Sequence, residues 1–198
     1  MITIIDYGAG NVTNVKNAFE KIGVSASISN KPKEWKNSDA IVLPGVGAFG
    51  TALERIGTRT ARIRELLEEG APFLGICLGM QILFERSEES PKANGLGVFK
   101  GKVKRFGTKL PVPQIGWNIV KPINSPLFDG MKEFQAYFVN SYYCNVSENS
   151  IVSATSEYGI VFPSAIWSKN IFATQFHPEK SGIVGLQVLE NFIKEVRA

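Results

Sequence analysis

The chain predicts an α/β fold, a three-layer sandwich with a central, mostly parallel sheet and an additional antiparallel portion. Three features lead there. The first ~90 residues alternate short β-branched runs with helical periodicities, the pattern of a parallel sheet covered by helices. The second half breaks into strand-like runs separated by Gly, Pro, Asn or Ser, which reads as mostly antiparallel pieces appended to, or completing, that sheet. An amphipathic helical pattern closes the chain at 182–196. No internal repeat, low-complexity tract or linker divides it, so residues 1–198 are expected to form a single domain.

Taken in order, residues 2–5 (Ile-Thr-Ile-Ile) are a β-branched run, a buried-strand signal. The D-Y-G-A-G-N that follows (Asp6 to Asn11) is turn chemistry. Val12, Val15, Phe19 and Ile22 stand at helical spacing over 12–22, and Gly23 stops the helix. Residues 24–28 carry a strand signal, and K-P-K-E-W-K (Lys31 to Lys36) reads as a solvated loop with Trp35 tucked in. Residues 39–43 form another strand, ended by P-G-V-G (Pro44 to Gly47). Residues 51–69 predict one helix with Leu53, Ile56, Ile63, Leu66 and Leu67 towards the core; Gly57 weakens it and Gly70 supplies its stop. Residues 72–76 are a strand running straight into Cys77, and 78–86 predict a helix. Strand-like runs follow at 97–106, 115–121, 135–143, 151–155, 160–168 and 171–176. Within the first of these, Lys100 to Arg105 alternates charge with small or apolar residues, as a half-exposed strand does. In the last helix Ile183, Leu186, Val188, Leu189, Phe192, Ile193 and Val196 mark the buried stripe.

Composition narrows the class. Hydrophobic residues make up 44% of 198, enough for a sizeable core and against global disorder. Lys+Arg 22 against Asp+Glu 18 gives +4, too small an excess to argue for nucleic acid. It fits one basic face, for instance a docking surface for an acidic partner. Cys77 and Cys144 are too few for a disulfide scaffold and read as thiols in a reducing compartment. Asp6 cuts the N-terminal apolar run short, and no stretch of about 18 uncharged apolar residues occurs, so a soluble cytoplasmic protein is expected. With one His, no cluster has metal-ligand spacing, and no metal site is expected.

The chemistry concentrates in two places. Cys77 lies at a strand-to-helix junction with Gly75 and Gly79 at i−2 and i+2. This G-x-C-x-G spacing is the cysteine form of the tight bend that presents a nucleophile, where small neighbours relieve crowding. The following helix points its N-terminus at the sulfur, which favours thiolate, and the Leu78 amide would face the oxygen of an attacked carbonyl. The chain's only histidine, His177, precedes Pro178, which pushes it into extended geometry. Glu179, two residues on, then projects to the same side and holds the ring in the tautomer that can take the Cys77 proton. A thiol, an imidazole and a carboxylate are the parts of a nucleophile, a base and a base-orienter. The glycine-rich turn P-G-V-G lies where parallel sheets bind ligands, and its amides would complete an oxyanion hole. The early G-A-G-N lacks the third glycine of a dinucleotide loop, since Thr13 stands there.

G-I-C-L-G-M-Q (Gly75 to Gln81) together with F-H-P-E-K (Phe176 to Lys180) resembles the class I, triad-type glutamine amidotransferases. More narrowly, the chain is similar to the glutaminase subunits of imidazole glycerol phosphate synthase. That likeness rests on D-Y-G-A-G-N, L-P-G-V-G-A-F (Leu43 to Phe49), S-E-E-S (Ser87 to Ser90), G-W-N (Gly116 to Asn118), Y-F-V-N-S-Y (Tyr137 to Tyr142) and F-P-S-A (Phe162 to Ala165). The resemblance implies Cys77 as nucleophile, His177 as general base and acid, and Glu179 as the orienting carboxylate. It implies Val46 and Leu78 as oxyanion amides, and Gly47, Gln81, Glu89, Ser141 and Tyr142 as contacts to L-glutamine. It implies no cofactor. The partner it implies is a (β/α)8-barrel cyclase, with Gly10, Asn11, Trp117 and Tyr137 on the docking face. Two positions depart from many relatives, which carry His where Gln114 and Asn140 stand here. A glutaminase serving another synthase, or a redox-sensing protein on a similar sheet, are the competing readings.

Overall fold

The computed structural model describes residues 1–198. The first half contains β1 (Ile2–Ile5), α1 (Val12–Lys21), β2 (Ala26–Ser29), α2 (Pro32–Trp35), β3 (Ala40–Gly45), α3 (Phe49–Ile56), α4 (Arg59–Glu68), β4 (Phe73–Cys77) and α5 (Leu78–Ile82). Then come β5 (Phe84–Ser87), β6 (Phe99–Arg105), β7 (Gln114–Pro122), β8 (Phe134–Asn140), β9 (Tyr142–Val146), β10 (Val152–Glu157), β11 (Val161–Ser168), β12 (Ile171–Thr174) and α6 (Gly182–Arg197).

One nine-stranded sheet runs β2-β1-β3-β4-β12-β11-β10-β7-β8. The strands from β2 to β12 in that order are parallel, and the remaining four extend the sheet antiparallel. β1, β3 and β4 are buried along their whole length, as strands covered on both faces must be. Successive residues therefore feed different cores. Ile4, Val42, Leu74 and Ile76 pack with Val15 and Phe19 of α1 and Leu189 and Phe192 of α6. Ile41, Leu43 and Phe73 pack with Ile56 of α3, Ile63 and Leu66 of α4 and Met80 of α5. Each such side chain contributes about 1.5–3 kcal/mol on burial. A second, three-stranded sheet, β5-β6-β9, joins the latter core through Val103 and Cys144.

Several elements differ from the sequence expectation. The single helix over 51–69 is two helices, because Gly57 takes φ 57° and ψ −136°, a break only glycine makes easily. The helix over 78–86 stops at Ile82. The carbonyls of Ile82 and Leu83 are taken by the amides of Leu96, Val98 and Phe99, so Phe84–Ser87 pairs as a strand instead. The run 135–143 is two strands parted at Ser141, one in each sheet. Lys31 to Lys36 contains one helical turn, with Trp35 buried and its Nε1 donating to the Ser29 carbonyl. Ile183, assigned to the buried stripe of the last helix, is 84% exposed, since the first turn of α6 buries Gly185 against the Pro178 carbonyl and Ile183 lies on the opposite side.

Candidate active site

β3, β4 and β12 are parallel neighbours, so their C-terminal ends deliver three segments to one edge of the sheet. Gly45 of the P-G-V-G turn lies opposite Cys77 in the strand register, and Thr174 lies opposite Ile76. This is the edge where open α/β sheets bind ligands.

Cys77 adopts φ 54° and ψ −105°, a strained conformation for a residue with a side chain. Both flanking glycines are needed to make the bend. A Cβ on Gly75 would meet the Gly79 carbonyl oxygen at 2.8 Å, and one on Gly79 would meet the Leu43 carbonyl oxygen at 1.8 Å. The strand thus turns directly against its neighbour's backbone and carries Cys77 into α5. That helix has only five residues, so its macrodipole is slight and its contribution is the individual amide of Leu78.

His177 is buried and extended (φ −100°, ψ 97°). Its Nδ1 meets Glu179 Oε1 at 2.8 Å, with both side chains only 3% exposed. The two residues meet by a route other than the expected one. Pro178–Lys180 is a single 3-10 turn rather than extended chain, and the turn folds the carboxylate back onto the ring. Two backbone contacts hold the segment: the His177 amide donates to the Tyr137 carbonyl at 2.9 Å, and Ser181 Oγ donates to the His177 carbonyl at 2.6 Å. With Nδ1 committed to Glu179, Nε2 is the free ring nitrogen, and it has no hydrogen-bond partner. Burial alone would lower the imidazole pKa; the negative charge at Cys77, and then Glu179, outweigh it and push it up. Cys77 is thus the imidazole's electrostatic partner, while Nε2 and Sγ stop short of hydrogen-bonding geometry. Catalytic contacts of this kind commonly tighten only when substrate is bound.

Beside Cys77 is a pocket of about 530 Å³. Val46, Gly47, Leu78, Gln81, Glu89, Ser141 and Tyr142 all line it, together with Asn140 and Lys180. His177 and Glu179 do not line it. Glu89 also serves the backbone. Its Oε2 accepts from the Phe49 amide at 2.7 Å, capping the first turn of α3 immediately after the P-G-V-G segment. A larger hollow of about 690 Å³ runs along α3, and neither Cys77, His177 nor Glu179 lines it.

The residues assigned to a docking face fall around this edge. A Cβ on Gly10 would lie 3.4 Å from the Gly45 Cα, so the D-Y-G-A-G-N loop rests on the P-G-V-G turn. Asn11 caps α1 by accepting from the Asn14 amide at 3.1 Å. Trp117 and Tyr137 are cross-strand partners on β7 and β8, with ring centroids 6.3 Å apart at 77°. Trp117 is 56% exposed, and Ile115 and Ile119 continue its strand face at 65% and 39%. Gln114 and Asn140 are a buried cross-strand pair; neither polar atom of the Gln114 amide has a partner, and Asn140 donates to the Tyr142 carbonyl.

Three contributors were missed in the sequence. Gln175 is fully buried and its Nε2 donates to Cys77 Sγ at 3.5 Å. Its position two residues before an extended His was the available signal, since i and i+2 share a side. Lys180 lines the pocket and lies over the Tyr137 ring at 5.7 Å. Tyr7 brings a buried, unpartnered hydroxyl against Gly45, and burial, then the charge of Cys77, raise its pKa.

Residues 3–196 match the family model for class-I glutamine amidotransferases. The chain is 46% identical over 203 residues to the imidazole glycerol phosphate synthase subunit HisH of Bacillus subtilis (strain 168), covering 98% of this chain and 96% of that protein. It is 47% identical to the protein of the same name from Methanothermobacter thermautotrophicus, covering 100% of both. The Methanocaldococcus jannaschii HisH is 48% identical, with 98% of this chain and 99% of that one covered. Among solved structures, a crystal structure described as glutamine amidotransferase superposes with TM-score 0.77 at 20% identity, over 100% of both chains. A chain of PurLQS from Thermotoga maritima gives TM-score 0.76 at 18% identity, over 98% of this chain and 97% of that one. At such identities the structures speak for the fold, and the sequence matches for the lineage: the chain belongs to the class-I glutamine amidotransferase family, among its imidazole glycerol phosphate synthase HisH subunits.

Proposed function

We propose that residues 1–198 form a single glutamine amidotransferase domain, the glutaminase subunit of a cytoplasmic imidazole glycerol phosphate synthase. Its reaction splits L-glutamine into glutamate and ammonia. The Cys77 thiolate attacks the side-chain carboxamide carbon, and the oxyanion is received by the amides of Leu78 and Val46. His177, protonated at Nε2, gives its proton to the departing amide nitrogen, which leaves as ammonia and a glutamyl thioester remains. His177 then takes a proton from water, hydroxide adds to the thioester, and glutamate leaves as sulfur is released. Glu179 keeps Nδ1 occupied throughout. Gln81 and Glu89 offer oxygens to the substrate's α-ammonium, while Gly47, Ser141 and Tyr142 frame its backbone end.

The observation that carries this reading is the strained bend that holds Cys77 on the wall of one pocket, with a buried His177–Glu179 pair whose imidazole is coupled to the sulfur. The partner is a (β/α)8-barrel cyclase that docks over this edge and receives the ammonia. The exposed apolar run of Ile115, Trp117 and Ile119 supports a covered face there, and Gly10, Asn11 and Tyr137 border it. The test is reconstitution with such a cyclase. Cys77→Ala is expected to abolish imidazole glycerol phosphate formation from glutamine and to leave formation from added ammonium salt intact. Loss of both, or loss of neither, overturns the reading.

A further inference from the structure

The reaction above leaves one fully buried polar side chain beside the nucleophile without a role. Gln175 Nε2 donates to Cys77 Sγ at 3.5 Å. Its other end is fixed, since Oε1 accepts from Gln81 Nε2 at 3.1 Å. The same Gln81 nitrogen donates to the Tyr142 carbonyl at 3.2 Å. These contacts determine how both amides point. A backbone carbonyl can only accept, so the Gln81 nitrogen faces it; Gln175 must then turn its oxygen to Gln81 and its nitrogen to sulfur. With its nitrogen used inward on both sides, Gln81 keeps Oε1 for the pocket it lines.

We propose that Gln175 is a positioning residue for the nucleophile: its amide N–H holds the Cys77 sulfur and, through Gln81, ties that sulfur to the subsite for the substrate's α-ammonium group. The inference rests on the glutaminase reading and deepens it. The sulfur has two polar contacts of opposite kind. A thiol proton is offered to the Val139 carbonyl at 4.0 Å, a long contact that vanishes on ionisation. The Gln175 N–H remains and strengthens, because a donor facing a charged acceptor is worth about twice one facing a neutral acceptor. The wire is therefore biased towards the thiolate. An ammonium on Gln81 Oε1 polarises that amide, which sharpens its N–H towards Gln175 and in turn the Gln175 N–H towards sulfur. The titratable groups whose charge couples to the sulfur are His177, Tyr7 and Cys144, and Glu89 and Lys180 stand on the pocket wall. None of them is altered in the variants that follow.

Two substitutions separate the donor from the space it fills. Gln175→Met keeps the volume and removes both polar ends. Gln175→Glu keeps the acceptor for Gln81 and replaces the donor with a carboxylate oxygen. Circular dichroism and thermal melts on the full chain establish that each is folded. Alkylation of Cys77 by iodoacetamide, followed by mass spectrometry from pH 6 to pH 10, reads the thiolate directly. At pH 7 the Met variant is expected to react about tenfold more slowly than the parent, the loss of one hydrogen bond to a charged group. The Glu variant should be slower again, and the rates should converge towards pH 10. A folded Met or Glu variant with the parent's rate-versus-pH curve overturns the proposal, and the Glu variant decides alone if the Met variant does not fold. L-Glutamine should also protect the unsubstituted Cys77 from alkylation. Absence of protection with altered Gln175 profiles would sink the glutaminase reading alone, whereas protection with unaltered profiles would sink the wire alone.

Discussion

Gly79→Ala tests whether the bend at Cys77 depends on bare backbone contact. The new methyl carbon would lie 1.8 Å from the Leu43 carbonyl oxygen, where real contacts stay beyond 3.0 Å, so about 1.2 Å of separation is required. Neither side yields easily. Leu43 sits inside β3, which is paired to β1 on one side and β4 on the other. Gly79 sits in the first turn of α5, two residues past the sulfur. Overpacking costs about 1–3 kcal/mol, with the upper end expected where the obstacle is backbone. At this chain length each kcal/mol moves Tm by roughly 2–4 °C, so at about 3 kcal/mol a drop on the order of 6–12 °C is expected. Relaxation on the α5 side displaces Cys77 and the Leu78 amide together, and a misplacement of about 1 Å costs on the order of 10²-fold in rate. The assays are a thermal melt and glutamine-dependent turnover with the cyclase bound, with ammonia-dependent turnover as the internal standard. Gly107→Ala is the control, because Gly107 is exposed and a Cβ there meets nothing within 4 Å. If Gly79→Ala matched Gly107→Ala in both Tm and glutamine-dependent rate, the bend would have slack and the steric account of the G-x-C-x-G spacing would be wrong.

Glu89→Gln keeps an oxygen for the Phe49 amide but removes the charge beside the pocket. KM for glutamine should rise about tenfold with kcat and Tm little changed, the signature of lost uniform binding in steady-state kinetics, and an unchanged KM would refute the assignment. Cys144 gives a pH signature. Its thiol is raised well above 9.0, first by burial and then by the charge of Cys77, while in the unfolded chain it ionises near its ordinary value. Its contribution is therefore fully present below the unfolded value and is lost as pH rises towards the folded one, at about 1.4 kcal/mol per pH unit. Urea melts from pH 8 to 10.5 should show a shallower decline in Cys144→Ala than in the parent, and parallel declines would count against this sign.

How far the site could be read from sequence depended on whether a local rule forced the geometry. Cys77 was legible because strand, glycine, cysteine and glycine follow closely in the chain, and the clearances at Gly75 and Gly79 leave no other way to turn. The Glu179–His177 contact was legible as a pair, but its route was not, since Pro178 opens a 3-10 turn as readily as it prolongs a strand. The split at Ser141 has no local mark: Asn140, Ser141 and Tyr142 contain neither Gly nor Pro. What divides the run is competition between distant partners, with β7 claiming residues up to Asn140 and β6 claiming those from Tyr142. Gln175 was hidden for a similar reason. Its partners, Gln81 and Cys77, lie 94 and 98 residues away, and only the placement of β12 beside β4 brings them together.

That placement also bears on how a docked partner would reach the chemistry. The proposed docking residues are not insulated from His177 by a layer of side chains. Tyr137 carries a ring set edge-on against Trp117, and its own backbone carbonyl receives the His177 amide. Its backbone amide in turn donates to Ser181 Oγ at 3.0 Å, and that hydroxyl holds the His177 carbonyl. A shift of β8 under the weight of a partner therefore moves both peptide groups of His177 at once. On the other flank Gly10 rests on Gly45, the residue paired with Cys77 and the start of the turn that bears Val46 and Gly47. Pressure on these two contacts acts on His177 and on the turn that bears Val46 and Gly47: Nε2 has no hydrogen-bond partner, and Val46 is partly exposed. A change at the proposed docking face would therefore reach His177 and the Val46–Gly47 turn through contacts one peptide away, with no long pathway between.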